Sequence, residues 1–488
     1  MRRYLSIMGQ LSAVRQLPLF ISLLGCLLVL ALGLVVPTVT MDADDMLGLV
    51  IVLLVQGITL YVPTLLTRSV PVMLWPAGQV PHEIYGRWVG YGCVVLLVLG
   101  LLTGWTLWAA IIVVLGFGLY GISARQHYRA LHAQTQRALR QIKPDFFVYT
   151  GGLAANTYQL TQWLPVLAAS RHQFAILCET QDFAAALPPT DLPVLVTRSL
   201  RGNEQVTATG ASGMLYTGNP QTNTGFLRFA QLQHVFINHG ESDKVVNQSK
   251  LLQAYDRLFL AGPMAQQRLT DAGIALREGQ AVHIGRPPVE LDLTRLTDPA
   301  GPVRRVLYAP TWEGLVKEAD YTSVRAEGFA MLEALLAVPE LEVTVKLHPL
   351  TGSKSQAQAV WRKRMLALCQ QRGVTVHGPD YPIHTAMNDS DLLICDISSV
   401  LNDYLYTGKP IVLCHFGEMP VDQVRDEFAS AQAAAILTDP AQTAQALSDS
   451  TGPQMTAARA AVAEASLSLS GGGMMDRFDA ALAQLKQD

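Results

Sequence analysis

Two doubly wound α/β domains behind an all-α membrane region of about four helices are what this sequence predicts, on three observations. Long charge-free apolar stretches crowd the first 122 residues, short apolar β-rich runs alternate with helical stretches from residue 145 onward, and polar residues gather where those runs end. Uninterrupted apolar strands separated by helices indicate a parallel sheet covered on both faces. Half of the 488 residues are hydrophobic and only 15% are charged, which is unusual for a soluble enzyme. The charge is also unevenly spread. Residues 1–144 hold ten Lys and Arg against four Asp and Glu, a net of +6, which leaves 26 against 35, a net of −9, for the remainder.

The membrane region is expected over residues 1–123. The stretches 17–36 (LPLFISLLGCLLVLALGLVV) and 46–66 (MLGLVIVLLVQGITLYVPTLL) are each about 20 apolar residues without charge, long enough to cross ~30 Å of hydrocarbon. The first is too long for a signal peptide's apolar core, and a second span follows at once. Residues 88–122, helical throughout, would reach ~52 Å at ~1.5 Å per residue. A turn at Thr103-Gly104-Trp105 divides them into spans 88–103 and 105–122, with a single span as the alternative. Arg2, Arg3 and Arg15 precede the first span, Asp42, Asp44 and Asp45 follow it, and residues 123–144 carry five Lys and Arg with no acid. The positive-inside rule then places the amino terminus and the large domain in the cytoplasm of a multi-pass cell-membrane protein, which needs an even number of spans. None of the spans carries the intramembrane charge that transport pathways usually need. Residues 124–144 form a basic linker helix, read either as lying on anionic lipid headgroups or as a solvated connector.

Beyond the linker, the expected strands are FFVYTGG, FAILCET, LPVLVT, HVFINHG, RLFLAG and AVHIGRP, then RRVLYAPTW, LEVTVKLHP, VTVHG, DLLICD, PIVLC and AAAILTD. The Pro-, Gly- and Asp-rich stretch TDPAGPVRR at 297–305 separates a domain over 145–300, on the acceptor side, from one over 301–488, on the nucleotide-donor side. In such sheets ligands bind at the carboxyl ends of the strands, so the polar residues at those ends are the candidates.

His239 stands in Asn238-His239-Gly240-Glu241 after HVFI, with Lys244 one helical turn further on. An imidazole exposed at a strand end in a cleft suits a general base for a hydroxyl nucleophile, though a lone His is more often structural or solvated. Arg286 ends the last strand of the first domain, either as a phosphate clamp or as ordinary hinge composition in GRPP. Thr311 closes the next strand, where its hydroxyl can meet a phosphate. Lys346 and His348 fall on one side of the strand LEVTV by alternation, and together suit a pyrophosphate. In CDISSVLNDYLYTGKPIVLC, Asp396 leaves a buried strand, and Ser398 and Ser399 open a helix that Gly408 ends. There, free amides and the helix dipole favour an anion, ordinary capping being the bland alternative. The six cysteines make no ligand spacing, so neither metal nor disulfide framework is indicated, no cofactor is expected, and scattered thiols suit a reducing compartment.

In this order, NHGESDK, GRPP, YAPTWEG, KLHP and DISSVLNDYLYTGKPIV resemble the CDP-glycerol:glycerophosphotransferase family, which primes and polymerises teichoic acids. The resemblance covers about residues 230–415, and five motifs in register are specific where one alone is weak. It departs from the family pattern at Asn238 (usually Trp), at Arg286, which precedes rather than follows its Pro, and at Ile397 (usually Tyr). The resemblance implies the two-domain fold known as GT-B. It implies His239 as catalytic base, His348, Thr311, Ser398 and Ser399 around the donor pyrophosphate, and Asp403 at the family's acidic helix position. The implied reaction moves a polyol phosphate, most simply glycerol phosphate, from a CDP-polyol to a hydroxyl of a lipid-linked or cell-envelope polymer. CMP leaves, with electrostatic groups in the place of a metal and no nucleic acid involved. A GT-B glycosyltransferase using a nucleotide sugar, and a non-catalytic nucleotide-binding module of an envelope assembly complex, remain as alternatives.

Overall fold

A computed structural model of the chain describes residues 47, 72–75, 106–152, 154–197, 199–243, 249–296, 301–314, 320–379 and 381–486. The strands are β1 (Val72–Trp75), β2 (Phe146–Thr150), β3 (Phe174–Cys178), β4 (Val194–Thr197), β5 (Gly213–Tyr216), β6 (Gln233–Phe236) and β7 (Arg257–Leu260). They continue with β8 (Ala281–His283), β9 (Arg305–Ala309), β10 (Glu342–Val345), β11 (Thr375–Val376), β12 (Leu392–Cys395), β13 (Ile411–Cys414) and β14 (Ala435–Leu437). The chain divides into two compact units. One comprises residues up to 143 with 177–185 and 193–209, and the other 144–176, 186–192 and 210–488.

In the first unit β1 runs antiparallel to β4, pairing Val72 with Thr197 and Trp75 with Val194. Helix α1, Thr106–Gln141, packs beside β1. Its buried stripe of Ala110, Val113, Tyr120, Ala124, Tyr128 and Leu131 recurs at helical spacing, while Trp108, Ile112, Leu115 and Leu119 are exposed.

This helix corrects the membrane reading. The expected spans 17–36 and 88–103, and 46–66 apart from Leu47, lie outside the described residues. The expected span 105–122 is no separate element. From Thr106 it runs without interruption into the expected linker, so apolar residues and Arg125, Arg129, Arg137 and Arg140 share one rod. Among the described residues no helix is long and apolar enough to cross a membrane. The four-span region and the multi-pass membrane placement, with the sidedness argued from it, are therefore overturned. What misled the reading is that the apolar residues serve partly to pack one face of α1 on protein.

The second unit is mixed α/β with parallel sheets. Its first sheet carries the order β2-β5-β6-β7-β8, every pair parallel. Strand β5 was not among the expected runs, yet it lies centrally and all four of its residues are buried. Gly213 opens it because the backbones crowd there: a Cβ would stand 2.6 Å from the Gln233 carbonyl oxygen.

The second sheet has the order β11-β10-β9-β12-β13-β14, again with every pair parallel. Its central strands β9, β12 and β13 are apolar without alternation because both faces are covered, whereas β10 alternates and the edge strand β11 is exposed. Leu307, Leu393, Cys395, Ile411 and Leu413 pack into one core layer. Val306, Tyr308, Leu392, Ile394, Val412 and Cys414 pack into the other. The chain leaves β9 for β10 and β11 on one side, then returns to lay β12 on the other. The switch point is thus between the carboxyl ends of β9 and β12, where a doubly wound sheet opens a crevice for a ligand.

Candidate functional site

The crevice is built first from backbone. Asp396, fully buried just after β12, accepts hydrogen bonds through Oδ2 from the amides of Thr311 (2.8 Å) and Ser323 (3.1 Å). One carboxylate thereby ties the end of β9 to the end of β12 and fixes the width of the switch point. Asp396 is therefore a scaffold residue, its Oδ2 turned to backbone.

Helix α5, Ser399–Tyr404, starts at this point. Its N-cap is Ser398, in extended conformation, but the Ser398 side chain makes no capping bond to the helix. Its Oγ instead donates to the Asp396 carbonyl at 3.1 Å. The first amides of α5 are thus left without the side-chain oxygen that normally meets one of them. Ser399 is half-buried at the helix start.

Opposite α5 lies the turn that follows β6. Asn238 takes a left-handed backbone (φ 54°), a conformation in which Asn is enriched, and its side chain holds the turn. Its Oδ1 accepts from the His239 amide (2.8 Å) and its Nδ2 donates to the Gly240 carbonyl (2.8 Å). Outside the turn, Trp163 Nε1 donates to the Asn238 carbonyl at 2.7 Å, and Gln162 Nε2 donates to the His239 carbonyl. The turn ends against α5: a Cβ at Gly240 would stand 3.1 Å from Ser399 Cβ.

This clamp aims the His239 ring. Nδ1 lies 2.9 Å from the Thr217 carbonyl, which only accepts, so Nδ1 carries the proton and Nε2 is the basic nitrogen. Tyr158 meets the ring edge to face, with centroids 5.7 Å apart. Burial pushes the imidazole pKa down to about 4; the Thr217 hydrogen bond and Asp403 oppose that shift, and the Arg286 charge adds to it. At neutral pH the ring is therefore uncharged and able to accept a proton.

The remaining candidates fall into two groups. Arg286, Asp403 and His239 come together. Arg286 is buried, with Nε 3.2 Å and Nη2 3.4 Å from the Asp403 carboxylate, and Nη2 also reaches Gln162 Oε1 at 3.0 Å and the His239 carbonyl at 3.5 Å. Asp403 sits on α5, so the arginine expected to clamp phosphate ties α5 to the turn of His239. Burial would raise the Asp403 pKa, but Arg286 and His384 outweigh it and hold the carboxylate ionised, below its ordinary value. Beside it, Asn402 Oδ1 accepts from Nη2 of Arg268 on helix α2, Pro263–Asp271 (3.1 Å), and Arg268 in turn pairs with Asp243 at 2.5 Å.

Lys346 and His348, expected side by side, are held by different partners. Strand β10 ends at Val345, so alternation no longer governs them. Lys346 Nζ donates to the Gly378 carbonyl at 2.9 Å. The His348 ring stacks on Trp312 at 5.9 Å between centroids, and its Nδ1 accepts from the Leu350 amide at 3.1 Å. Thr311 is buried, with its carbonyl bound by Thr322 Oγ1 (2.7 Å). Lys244 lies outside the described residues.

Sequence reasoning missed Gln162, Thr217, Tyr158 and His384. The Thr217 carbonyl is backbone and leaves no residue signature. Gln162 and Tyr158 lie far from the motif in sequence, with no spacing that announces them. His384 follows Pro382 at a helix start, a position that reads as ordinary N-terminal composition.

With that geometry in place, residues 293–478 match the family described as CDP-Glycerol:Poly(glycerophosphate) glycerophosphotransferase, well under half of the chain. No curated protein matches the chain. Among solved structures, the wall teichoic acid polymerase TagF is similar at 14% identity over 75% of this chain and 95% of that one, with a TM-score of 0.49. A putative UDP-N-acetylglucosamine 2-epimerase from Listeria monocytogenes is similar at 14% identity over 70% and 95%, with a TM-score of 0.48. The UDP-GlcNAc 2-epimerase from Methanocaldococcus jannaschii follows at 10% over 70% and 99%, with a TM-score of 0.45. Likeness at that level carries no weight for function. The family match does: through residues 293–478, which hold Thr311, Lys346, His348 and the start of α5, this chain is a CDP-glycerol glycerophosphotransferase-like enzyme.

Proposed function

We propose that the enzyme moves a polyol phosphate, most simply glycerol phosphate, from a CDP-polyol to a hydroxyl of a polymer or lipid-linked acceptor. What supports this reading is the closeness of Gly240, the residue after His239, to Ser399 at the uncapped start of α5. In the reaction, His239 Nε2 takes the proton as the acceptor oxygen attacks the phosphorus that bears the polyol. A new P–O bond forms, the bond from that phosphorus to the bridging oxygen breaks, and CMP leaves with the electron pair. The charge that gathers on the phosphates meets the amides at Ser398 and Ser399, where the helix dipole favours an anion. His348, on its Trp312 platform, and Lys346, both just past the end of β10, are proposed to meet the donor's phosphates. Lys244 is proposed to join them from the segment after His239. Arg286, Asp403 and Asp396 set the shape of the seat.

The test is CMP release by the purified chain with CDP-glycerol, against UDP- and GDP-sugars. CDP-glycerol is expected to be turned over and the sugar nucleotides not, with His239→Ala slower by ~10²–10⁴-fold, the contribution of a positioned general base. Unchanged turnover in His239→Ala sinks the base assignment. Turnover of a sugar nucleotide in place of CDP-glycerol makes the enzyme a glycosyltransferase, and no turnover of any donor favours a binding module.

A further inference from the structure

Behind the seat, four charged side chains alternate in sign. Asp292, at the end of helix α3 (Pro287–Asp292), lies 2.8 Å from His384 Nδ1 through Oδ2. His384, on α4 (Ile383–Asp389), reaches Asp403 Oδ2 with Nε2 at 3.5 Å. Asp403 meets Arg286, and Arg286 ends on Gln162 and the His239 carbonyl. The His384 side chain is 9% exposed and Asp403 10%, whereas Asp292 at 38% opens to solvent. The charged groups facing the His384 ring are Asp292 from α3 and Asp403 from α5, with Arg286 behind Asp403.

The balance of this row depends on His384. Both of its ring nitrogens face carboxylates, which only accept when ionised, so the geometry suits an imidazolium donating from each. Burial would lower its pKa, but the hydrogen bonds to Asp292 and Asp403 outweigh that and hold it at about 9. With the proton in place, the row is two anions and two cations. Without it, Asp403 faces Arg286 alone, and the remaining negative charge is that of the more exposed Asp292. Asp403 would then draw the guanidinium wholly to itself and away from the turn that aims the base.

We propose that His384 is a positioning residue: as an imidazolium it shares Asp403 with Arg286 and so keeps Arg286 on the His239 turn. For activity this rests on the reaction proposed above, but the positioning itself is testable without it. The experiment uses the full chain as wild type, His384→Gln and Asp292→Asn. Ring-nitrogen NMR titration is expected to show one histidine still protonated above pH 8 in wild type and absent in His384→Gln. The His239 ring is expected to shift and to titrate differently in His384→Gln. Turnover should fall at high pH in wild type, with the limb about a unit lower in Asp292→Asn, and kcat should drop ~10-fold or more in His384→Gln with KM for the donor changed less. An unaltered His239 titration in His384→Gln overturns the proposal whether or not CMP is released. A wild-type kcat and pH profile in His384→Gln overturns it as well. Should wild type release no CMP, the reaction above fails and the NMR arm alone decides the role of His384.

Discussion

Gly240 faces Ser399 so closely that the smallest possible side chain at 240 would stand 3.1 Å from Ser399 Cβ. Two chain segments 159 positions apart thereby meet with only a hydrogen atom between them. Gly240→Ala forces the turn or α5 to give by a few tenths of an ångström. The position does not need a left-handed backbone, so the cost falls on the fit across the seat. We expect a ~1 kcal/mol loss of stability and a several-fold fall in kcat, read by urea unfolding alongside CMP release. Full activity would mean that this spacing does not matter to the reaction.

Arg286 and Asp403 form a buried pair, with side chains 4% and 10% exposed. Removing one partner leaves a buried charge, so Arg286→Met is expected to cost ~3–5 kcal/mol. His384 still shares Asp403, which favours the lower figure. The double variant Arg286→Met with Asp403→Leu should cost less than the two single changes summed, with a coupling of ~1–3 kcal/mol in a double-mutant cycle. Strict additivity would show that the pair is not coupled.

Asp396 carries its role through two backbone amides, those of Thr311 and Ser323. Asp396→Ala orphans both in a buried place, and ~2–4 kcal/mol of stability should go. The ends of β9 and β12 should also loosen, seen as faster amide exchange at 311 and 323. Exchange unchanged at these two amides would assign the switch point to some other tie.

Stability should fall on both sides of pH 6.5, for opposite reasons. The His384 pKa is raised from its ordinary 6.5 to about 9, so its contribution is fully present below 6.5 and is lost as pH rises through 9, by ~3 kcal/mol. The His239 pKa is lowered from 6.5 to about 4, so its contribution is present above 6.5 and is lost as pH falls through 4. Urea unfolding from pH 4 to pH 9 checks both limbs. His384→Gln should flatten the alkaline one and leave the acid one in place.

The parts of this protein legible in its sequence are those where one physical pattern has one cause. Strands β9, β12 and β13 are legible because unbroken apolar runs such as LLIC need cover on both faces, and Gly408 marks the end of the α5 segment through its left-handed cap (φ 73°). The apolar run of α1 was misread because an oily helix packed on protein and an oily helix in lipid share a composition. Strand β5 escaped because GMLY begins with the glycine its crowded neighbour demands. At the site, Asp403 stands out in the sequence through the motif it belongs to, whereas its partner His384 does not, since the pairing is made by the fold. Alternation would hold Lys346 and His348 on one side only if the strand continued beyond Val345, where β10 ends.

The hydrogen bond from His239 to the Thr217 carbonyl has a consequence for anyone redesigning this enzyme. Every amino acid supplies that carbonyl, so a library at 217 leaves the proton on Nδ1 whatever it encodes. The tautomer of His239 lies beyond the reach of codon changes at the residue that sets it. Basicity, by contrast, stays adjustable through Tyr158 and Arg286, whose side chains make the ring's surroundings.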